Sequence, residues 1–187
     1  MTTPAPHPLP GDYAVTRTSG RLIDRIAAWA IRFDTATKVD GKWVDAQVNH
    51  AFLYVGDGVI VEAVGKVRYN DLSAYPDAIW STGRLPAHLT PDATQRQQIV
   101  NRAHDLIGRR YNWLDIVAIG LAQRRLGQVV SSRTWWARRV GNDSRLICSQ
   151  AVDVEYLAAE IHLFRDGRIP GLVSPQDLDG LLLPVGG

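Results

Sequence analysis

The stretch Val48-Asn49-His50-Ala51-Phe52-Leu53-Tyr54-Val55-Gly56-Asp57-Gly58-Val59-Ile60-Val61-Glu62-Ala63 constrains the fold more than any other. Val48, Phe52 and Tyr54, then Val59 and Val61, are strand formers, and Gly56-Asp57-Gly58 is a turn, so the stretch reads as a β-hairpin. Side chains alternate faces along a strand, so His50, Phe52 and Tyr54 share one face and need not all be core. His50 opens the first strand and Glu62 ends the second. A hairpin brings its outer ends together, so this imidazole and carboxylate are expected to be neighbours although twelve positions apart. Such a pair orients a general base.

The only cysteine, Cys148, lies far downstream in Leu146-Ile147-Cys148-Ser149-Gln150-Ala151-Val152, at the start of a helical pattern. A thiol attacks as thiolate, and a free thiol is mostly protonated at neutral pH. A helix N-terminus beneath it and an imidazolium beside it both lower its pKa. Cys148 has the first by sequence, and folding onto the hairpin would supply the second from His50. Glu62 would then hold the imidazole in one tautomer, and backbone N–H groups around Cys148 would face a developing oxyanion. By residue type alone, a lone cysteine is more often a small buried hydrophobe. Order and local context have to decide between the two.

The 187 residues suit a single domain with a real core, and 45% hydrophobic with 21% charged residues is ordinary for a globular protein. One cysteine excludes an internal disulfide framework and argues against a cysteine-rich zinc site. His50, His88 and His104 do not stand at a helical two-ligand spacing with another His or Cys, so no metal is expected. No Gly-rich phosphate loop and no internal repeat is present, and no cofactor is called for. Residues 1–10 are rich in Pro and Thr, without a basic or apolar leader segment, and no apolar run reaches transmembrane length. The expected location is therefore cytoplasmic or phage- or virion-associated. Residues 101–145 carry nine Arg against three Asp, a basic patch in a chain of net charge +2. A solvated face is the ordinary reading. An anionic membrane surface or a cell-wall polymer are sharper ones, and nucleic acid is the weakest, since no reading motif accompanies the patch.

Residues 1–10 read as a flexible arm, and residues 11–187 as one domain. Gly11 to Arg17 form a short strand. Leu22, Ile23, Ile26, Ala27, Ala30 and Phe33 are spaced as an amphipathic helix. A polar stretch with an Asp40-Gly41 turn signal precedes the hairpin. Strands are expected over residues 66–70 and 78–85, with a short helical turn at 72–75. Thr90-Pro91-Asp92 opens a helix with Thr90 as cap, and Gly108 closes it. Asn112 caps a buried helix beginning near Tyr111-Asn112-Trp113. Residues 128–143 contain Trp135-Trp136 flanked by Arg133, Arg138 and Arg139, either a lid on the core or an exposed border with substrate. A helix runs from Cys148 to about Glu160, a last strand covers residues 169–173, and Ser174-Pro175 caps a short final helix.

Four stretches resemble the permuted members of the NlpC/P60 superfamily of papain-like thiol hydrolases, closest to the YiiX/YycO-like group. Gly11-Asp12-Tyr13-Ala14-Val15-Thr16-Arg17 is similar to its opening strand. Asn49-His50-Ala51-Phe52-Leu53-Tyr54-Val55-Gly56-Asp57-Gly58 resembles its histidine strand, with Val61-Glu62-Ala63 at the polar third position. Tyr111-Asn112-Trp113 is similar to its aromatic helix start, where an acidic residue is usual at Asn112. Cys148-Ser149-Gln150 resembles its nucleophile motif, where Glu is usual at Gln150. These departures bear on substrate preference more than on the nucleophile. In ordinary members the Cys helix precedes the His strand; here His50 comes first, as in the permuted branch. The resemblance implies an α+β fold, circularly permuted and papain-like, with an antiparallel sheet packed against helices.

The expectation is a cysteine hydrolase or acyltransferase on an amide or ester bond, with Cys148, His50 and Glu62 as catalytic residues. Tyr111, Asn112, Trp113, Ser149, Gln150, Trp135 and Trp136 would line the substrate, a cell-wall peptide or an acylated lipid. The alternative is a non-catalytic binding or virion-associated module that keeps the fold with Cys148 merely buried. A third reading is a peripheral membrane protein that uses residues 133–139. Oligomeric state is not legible.

Overall fold

The structure, a computed structural model, describes residues 7–17, 37–39, 42–44, 48–111, 145–146, 148–165 and 173–184. In chain order its strands are β1 (Tyr13–Thr16), β2 (Thr37–Val39), β3 (Lys42–Val44), β4 (His50–Gly56), β5 (Val59–Val64), β6 (Lys66–Asp71), β7 (Ile79–Trp80), β8 (Arg110–Tyr111) and β9 (Arg145–Leu146). The α-helices are α1 (Ala93–Leu106), α2 (Cys148–Leu157) and α3 (Pro175–Asp179), and short 3₁₀ turns cover Leu72–Ala74 and Ala87–Leu89. Seven strands form one sheet in the order β7-β1-β4-β5-β6-β8-β9. All its pairings are antiparallel except β8 with β9. Strands β2 and β3 form a separate antiparallel ribbon flanking the Asp40-Gly41 turn signal. The protein is thus α+β, with an antiparallel sheet and helices packed on it. Among the described residues no helix is long and apolar enough to cross a membrane.

The central hairpin forms for the reason its sequence suggests. Asp57 and Gly58 both adopt positive φ, 52° and 74°, the two-residue turn whose twist matches that of the flanking strands. The register shifts between Tyr54 and Gly56, so Val55 is an extra residue on β4. Alternation along the strands then separates two apolar groups. Ala51, Leu53, Val61, Ala63 and Val67 belong to the main core with Ile99, Ala103 and Leu106 of α1, Val152 and Tyr156 of α2, and Leu178 of α3. Ala14, Phe52 and Ile60 form a smaller cluster with Tyr54, Tyr75 and Trp80. His50 and Glu62 follow the same alternation as Phe52 and Ile60, beside this aromatic cluster.

A polar knot joins the layers around Asp12, which is 1% exposed. Its carboxylate accepts from Arg96 Nη1 of α1 at 2.7 Å, Thr82 Oγ1 at 2.6 Å and Leu9 N at 2.8 Å. Tyr156 of α2 donates to Gly11 O at 2.9 Å. Gly11 has φ 90°, and a Cβ there would lie 3.2 Å from the Arg96 Cα, so glycine is required on both counts. Leu9 and Pro10, at the end of the expected arm, are held in this knot; Pro10 O accepts from Arg96 Nη1 at 3.1 Å.

Two local expectations are corrected. Helix α1 is capped by Asp92, not Thr90: Asp92 accepts from Gln95 N, and the Gln95 side chain accepts from Asp92 N. This reciprocal box satisfies two helix-end donors, while the Thr90 hydroxyl is spent on the carbonyls of Leu85 and Pro86. The strand expected over 78–85 pairs only at Ile79–Trp80. Ser81 then turns the chain, with its Oγ accepting from Tyr13 N at 3.0 Å and its carbonyl accepting from Arg84 N. The expected helices at 20–33 and from Asn112, the segment 128–143 and residues 169–172 of the expected last strand lie outside the described residues, and Val173 is not in a strand. Gly108 at φ 85° closes α1, and Ser174 with Asp177 forms a capping box on α3, as the sequence signals.

Glu155 of α2 is buried, and among the described residues neither of its carboxylate oxygens has a hydrogen-bond partner. Burial holds its pKa well above the usual carboxylate range, and Arg102 of α1 draws it back only in part. The folded carboxyl ionises at a higher pH than the unfolded one, whose ordinary value is about 4.5, so this group lowers stability as pH rises above 4.5. Glu155→Met should therefore stabilise the protein, by about 1–2 kcal/mol near neutral pH. In urea unfolding the gain over the parent should grow from pH 5 to pH 8. A constant or negative difference would contradict this reading of the α1–α2 contact.

Candidate active site

The site is assembled where the start of β4 meets the start of α2. His50 pairs with Thr16 of β1, and Asn49 N donates to Thr16 O at 3.0 Å, which fixes where β4 begins. Phe52 is the Cα partner of Glu62, so His50 and Glu62 are diagonal neighbours on the same face. His50 Nε2 bonds Glu62 Oε2 at 2.9 Å. That leaves Nδ1 as the ring nitrogen able to serve a thiol. Cys148, the first residue of α2, lies near enough to His50 for each to shift the other's pKa, and the backbone N–H groups of Ala51 and Ser149 also act on its sulfur. Thiol, imidazole and carboxylate thus follow one another, all buried: Cys148 is 3%, His50 6% and Glu62 1% exposed.

Three further side chains hold Glu62. In the β5–β6 register Glu62 faces Arg68 and Ile60 faces Asn70, so Arg68 and Asn70 share its face. Glu62 Oε1 accepts from Arg68 Nε at 3.0 Å, Arg68 Nη2 at 2.8 Å and Asn70 Nδ2 at 3.0 Å. Glu62 Oε2 accepts from Tyr75 Oη at 2.6 Å. The sequence reading missed all three. A signal existed for two of them: residues 66–70 read as a strand, and pairing it back across Gly65 places 68 opposite 62. Tyr75 had none, because a 3₁₀ turn returns it to the sheet.

The electrostatics follow from these bonds. Burial disfavours the charged ring of His50, but hydrogen bonds to Cys148 and Glu62, and the charges on both, raise its pKa to about 9. Burial likewise disfavours the Glu62 carboxylate, but the bonds from His50 and Tyr75, the imidazolium charge and the bond from Arg68 lower it to about 2. At Cys148 burial is again overcome, by the hydrogen bond and charge of His50 and by the Ala51 and Ser149 N–H groups, and the thiol is lowered. Both shifts move the pair toward thiolate and imidazolium. Because Glu62 is so weak a base, the proton stays on His50, and the carboxylate orients rather than accepts.

The other expected substrate residues fare differently. Ser149 is fully buried, and its hydroxyl donates to Val173 O at 2.6 Å, so its contribution to the site is its backbone N–H. Gln150 is buried in the first turn of α2. The Tyr111 backbone lies in β8 and pairs with Leu146, two residues before Cys148. Asn112, Trp113, Arg133, Trp135, Trp136, Arg138 and Arg139 lie outside the described residues. Among the described residues no group of three or more His, Cys, Asp or Glu is placed to hold a metal ion. No family model matches the chain, and no curated protein sequence matches it.

Two pH windows follow. Stability contributed by the raised His50 is complete below 6.5 and is lost as pH rises through about 9. Stability contributed by the depressed Glu62 is complete above 4.5 and is lost as pH falls through about 2. Both are complete between 4.5 and 6.5, where Glu62→Gln should cost most, on the order of 1–3 kcal/mol in denaturant unfolding. Alkylation of Cys148 should stay fast into mildly acidic solution. His50→Ala should slow it by about two orders of magnitude at pH 6, where an ordinary thiol is only about 0.3% ionised. Reactivity should return on the alkaline side, as the thiol ionises unaided. Overlaid pH curves for parent and His50→Ala would show that the thiol and ring are not coupled.

Proposed function

We propose that this protein is a cysteine hydrolase or acyltransferase acting on an amide or ester bond, built on a permuted papain-like, NlpC/P60-like domain. The observation that carries the reading is the buried His50–Glu62 hydrogen bond with Cys148, which opens a helix, interacting with the same imidazole. A merely buried cysteine needs neither an imidazole partner nor a carboxylate behind it. The order of His strand before Cys helix and the antiparallel sheet under that helix agree with the permuted branch.

In this reading the Cys148 thiolate attacks the carbonyl carbon and forms a C–S bond. The oxyanion develops against backbone N–H groups at the N-terminus of α2. His50 gives its proton to the leaving amine or alcohol as the C–N or C–O bond breaks, leaving an acyl-enzyme. His50 then takes a proton from water, or from another acceptor, whose oxygen attacks the thioester and releases Cys148 as thiolate. Glu62 keeps the ring in one tautomer throughout. Cell-wall peptides and acylated lipids are the substrate classes proposed, with an anionic membrane surface as a candidate partner for the basic segment.

The test uses an activated acyl donor, p-nitrophenyl acetate, with intact-mass detection. The parent should gain one acetyl group on Cys148 and then lose it. Cys148→Ser should lose this turnover by at least about 10³-fold, and Glu62→Gln should retain the acylation site at a rate lowered about 10- to 100-fold. A parent that takes up no acetyl group on Cys148 would favour the non-catalytic binding module.

A further inference from the structure

We infer that Tyr75 is a positioning residue for His50 whose action falls mainly on the second half of the reaction, release of the acyl group; this rests on the hydrolase reading above. The two oxygens of Glu62 are held differently. Oε1 takes three N–H donors, all from β6. Among the described residues Oε2 takes only His50 Nε2 and Tyr75 Oη, at 2.9 and 2.6 Å. A carboxylate offers about four lone-pair positions, so five donors fill it and leave no place for water. Tyr75 is the one donor on Oε2 that takes no part in proton transfer. Its ring lies against the imidazole, with centroids 5.3 Å apart, and stacks on Phe52 at 4.8 Å. Phe52 is buried in β4, so the sheet fixes the Tyr75 ring against both the imidazole and its carboxylate partner.

The timing follows from counting the bonds on the imidazole. In the free protein the His50 ring is bonded to Glu62 at one end and interacts with Cys148 at the other. Once the sulfur is acylated it carries no proton and no charge, and that end of the ring is released. The His50–Glu62 bond is then what keeps Nδ1 aimed at the thioester. Acylation begins with the ring doubly anchored, and deacylation with it singly anchored. A residue that stiffens the Glu62 end therefore matters most in deacylation, where His50 must take a proton from water while the O–C bond forms and the C–S bond breaks.

Tyr75→Phe removes the hydroxyl and keeps the ring. With p-nitrophenyl acetate, acetylation and deacetylation of Cys148 are followed separately by rapid-quench intact mass. Deacetylation should slow by about tenfold or more, with acetylation changed less than about threefold, so that acetyl-enzyme accumulates. Tyr54→Phe removes another hydroxyl from the same face, one that accepts from Gly58 N at 3.3 Å, and should leave both steps unchanged. Equal slowing of both steps, or of neither, overturns the assignment of Tyr75 while leaving the hydrolase reading intact. A parent never acetylated on Cys148 overturns the hydrolase reading and the Tyr75 assignment with it. If Tyr75→Phe does not fold, 3-fluorotyrosine at position 75 keeps shape and hydroxyl but changes donor strength. An altered deacetylation rate with unaltered acetylation then supports the assignment, and an unchanged deacetylation rate overturns it.

Discussion

A carboxylate buried in the sheet governs this protein's candidate site. Glu62 is 1% exposed, and removing an ion from water costs several kcal/mol unless its lone pairs are filled. They are filled by His50, Tyr75, Arg68 and Asn70. The half-exposed Arg68 and the imidazolium of His50 carry two positive charges, and the Glu62 carboxylate and the Cys148 thiolate carry two negative ones. The four ionised groups sum to zero. That neutrality lets a thiolate and an imidazolium coexist where either alone would be forced to its uncharged form.

Neutrality of this kind depends on exact strand register. A one-residue slip of β5 against β4 or β6 would send Glu62 to the opposite face, among Leu53 and Val67. The Asp57-Gly58 turn, the extra residue at Val55 and the apolar alternation all fix the register before the polar network forms. The Asp12 knot does the same for the helices. It ties α1 through Arg96 and α2 through Tyr156 to the start of β1, so the first turn of α2 arrives at the start of β4. Glu155, by contrast, is a buried carboxyl without such partners, and its protonated form is the physical alternative when no network is supplied.

How much of this was legible in the sequence varies with the range of the interaction. The hairpin, its turn, the short strand at β1, the end of α1 at Gly108 and the cap of α3 are local, and side-chain period or backbone preference announces each. The start of α1 was misplaced by two residues because Thr90-Pro91 and Asp92-Ala93-Thr94-Gln95 are both credible openings. Competing hydrogen bonds to Leu85 and Pro86 decided between them. The strand at Ile79–Trp80 was overextended because only tertiary hydrogen bonds, of Ser81 to Tyr13 and of Thr82 to Asp12, mark where the chain turns.

The sequence by itself determined that His50 and Glu62 would be close, because a two-residue turn and a period of two leave few ways to arrange the hairpin. It also placed Cys148 at a helix start. Only the tertiary structure decided that this helix start meets this strand start, since ninety-eight residues separate His50 from Cys148 and no local preference spans them. Only the tertiary structure, too, made Arg68, Asn70 and Tyr75 partners of Glu62 and turned the Ser149 hydroxyl away to Val173. Local rules fix conformation over a few residues. Which charges share a dry space depends on packing, and the sheet and helices settle that together.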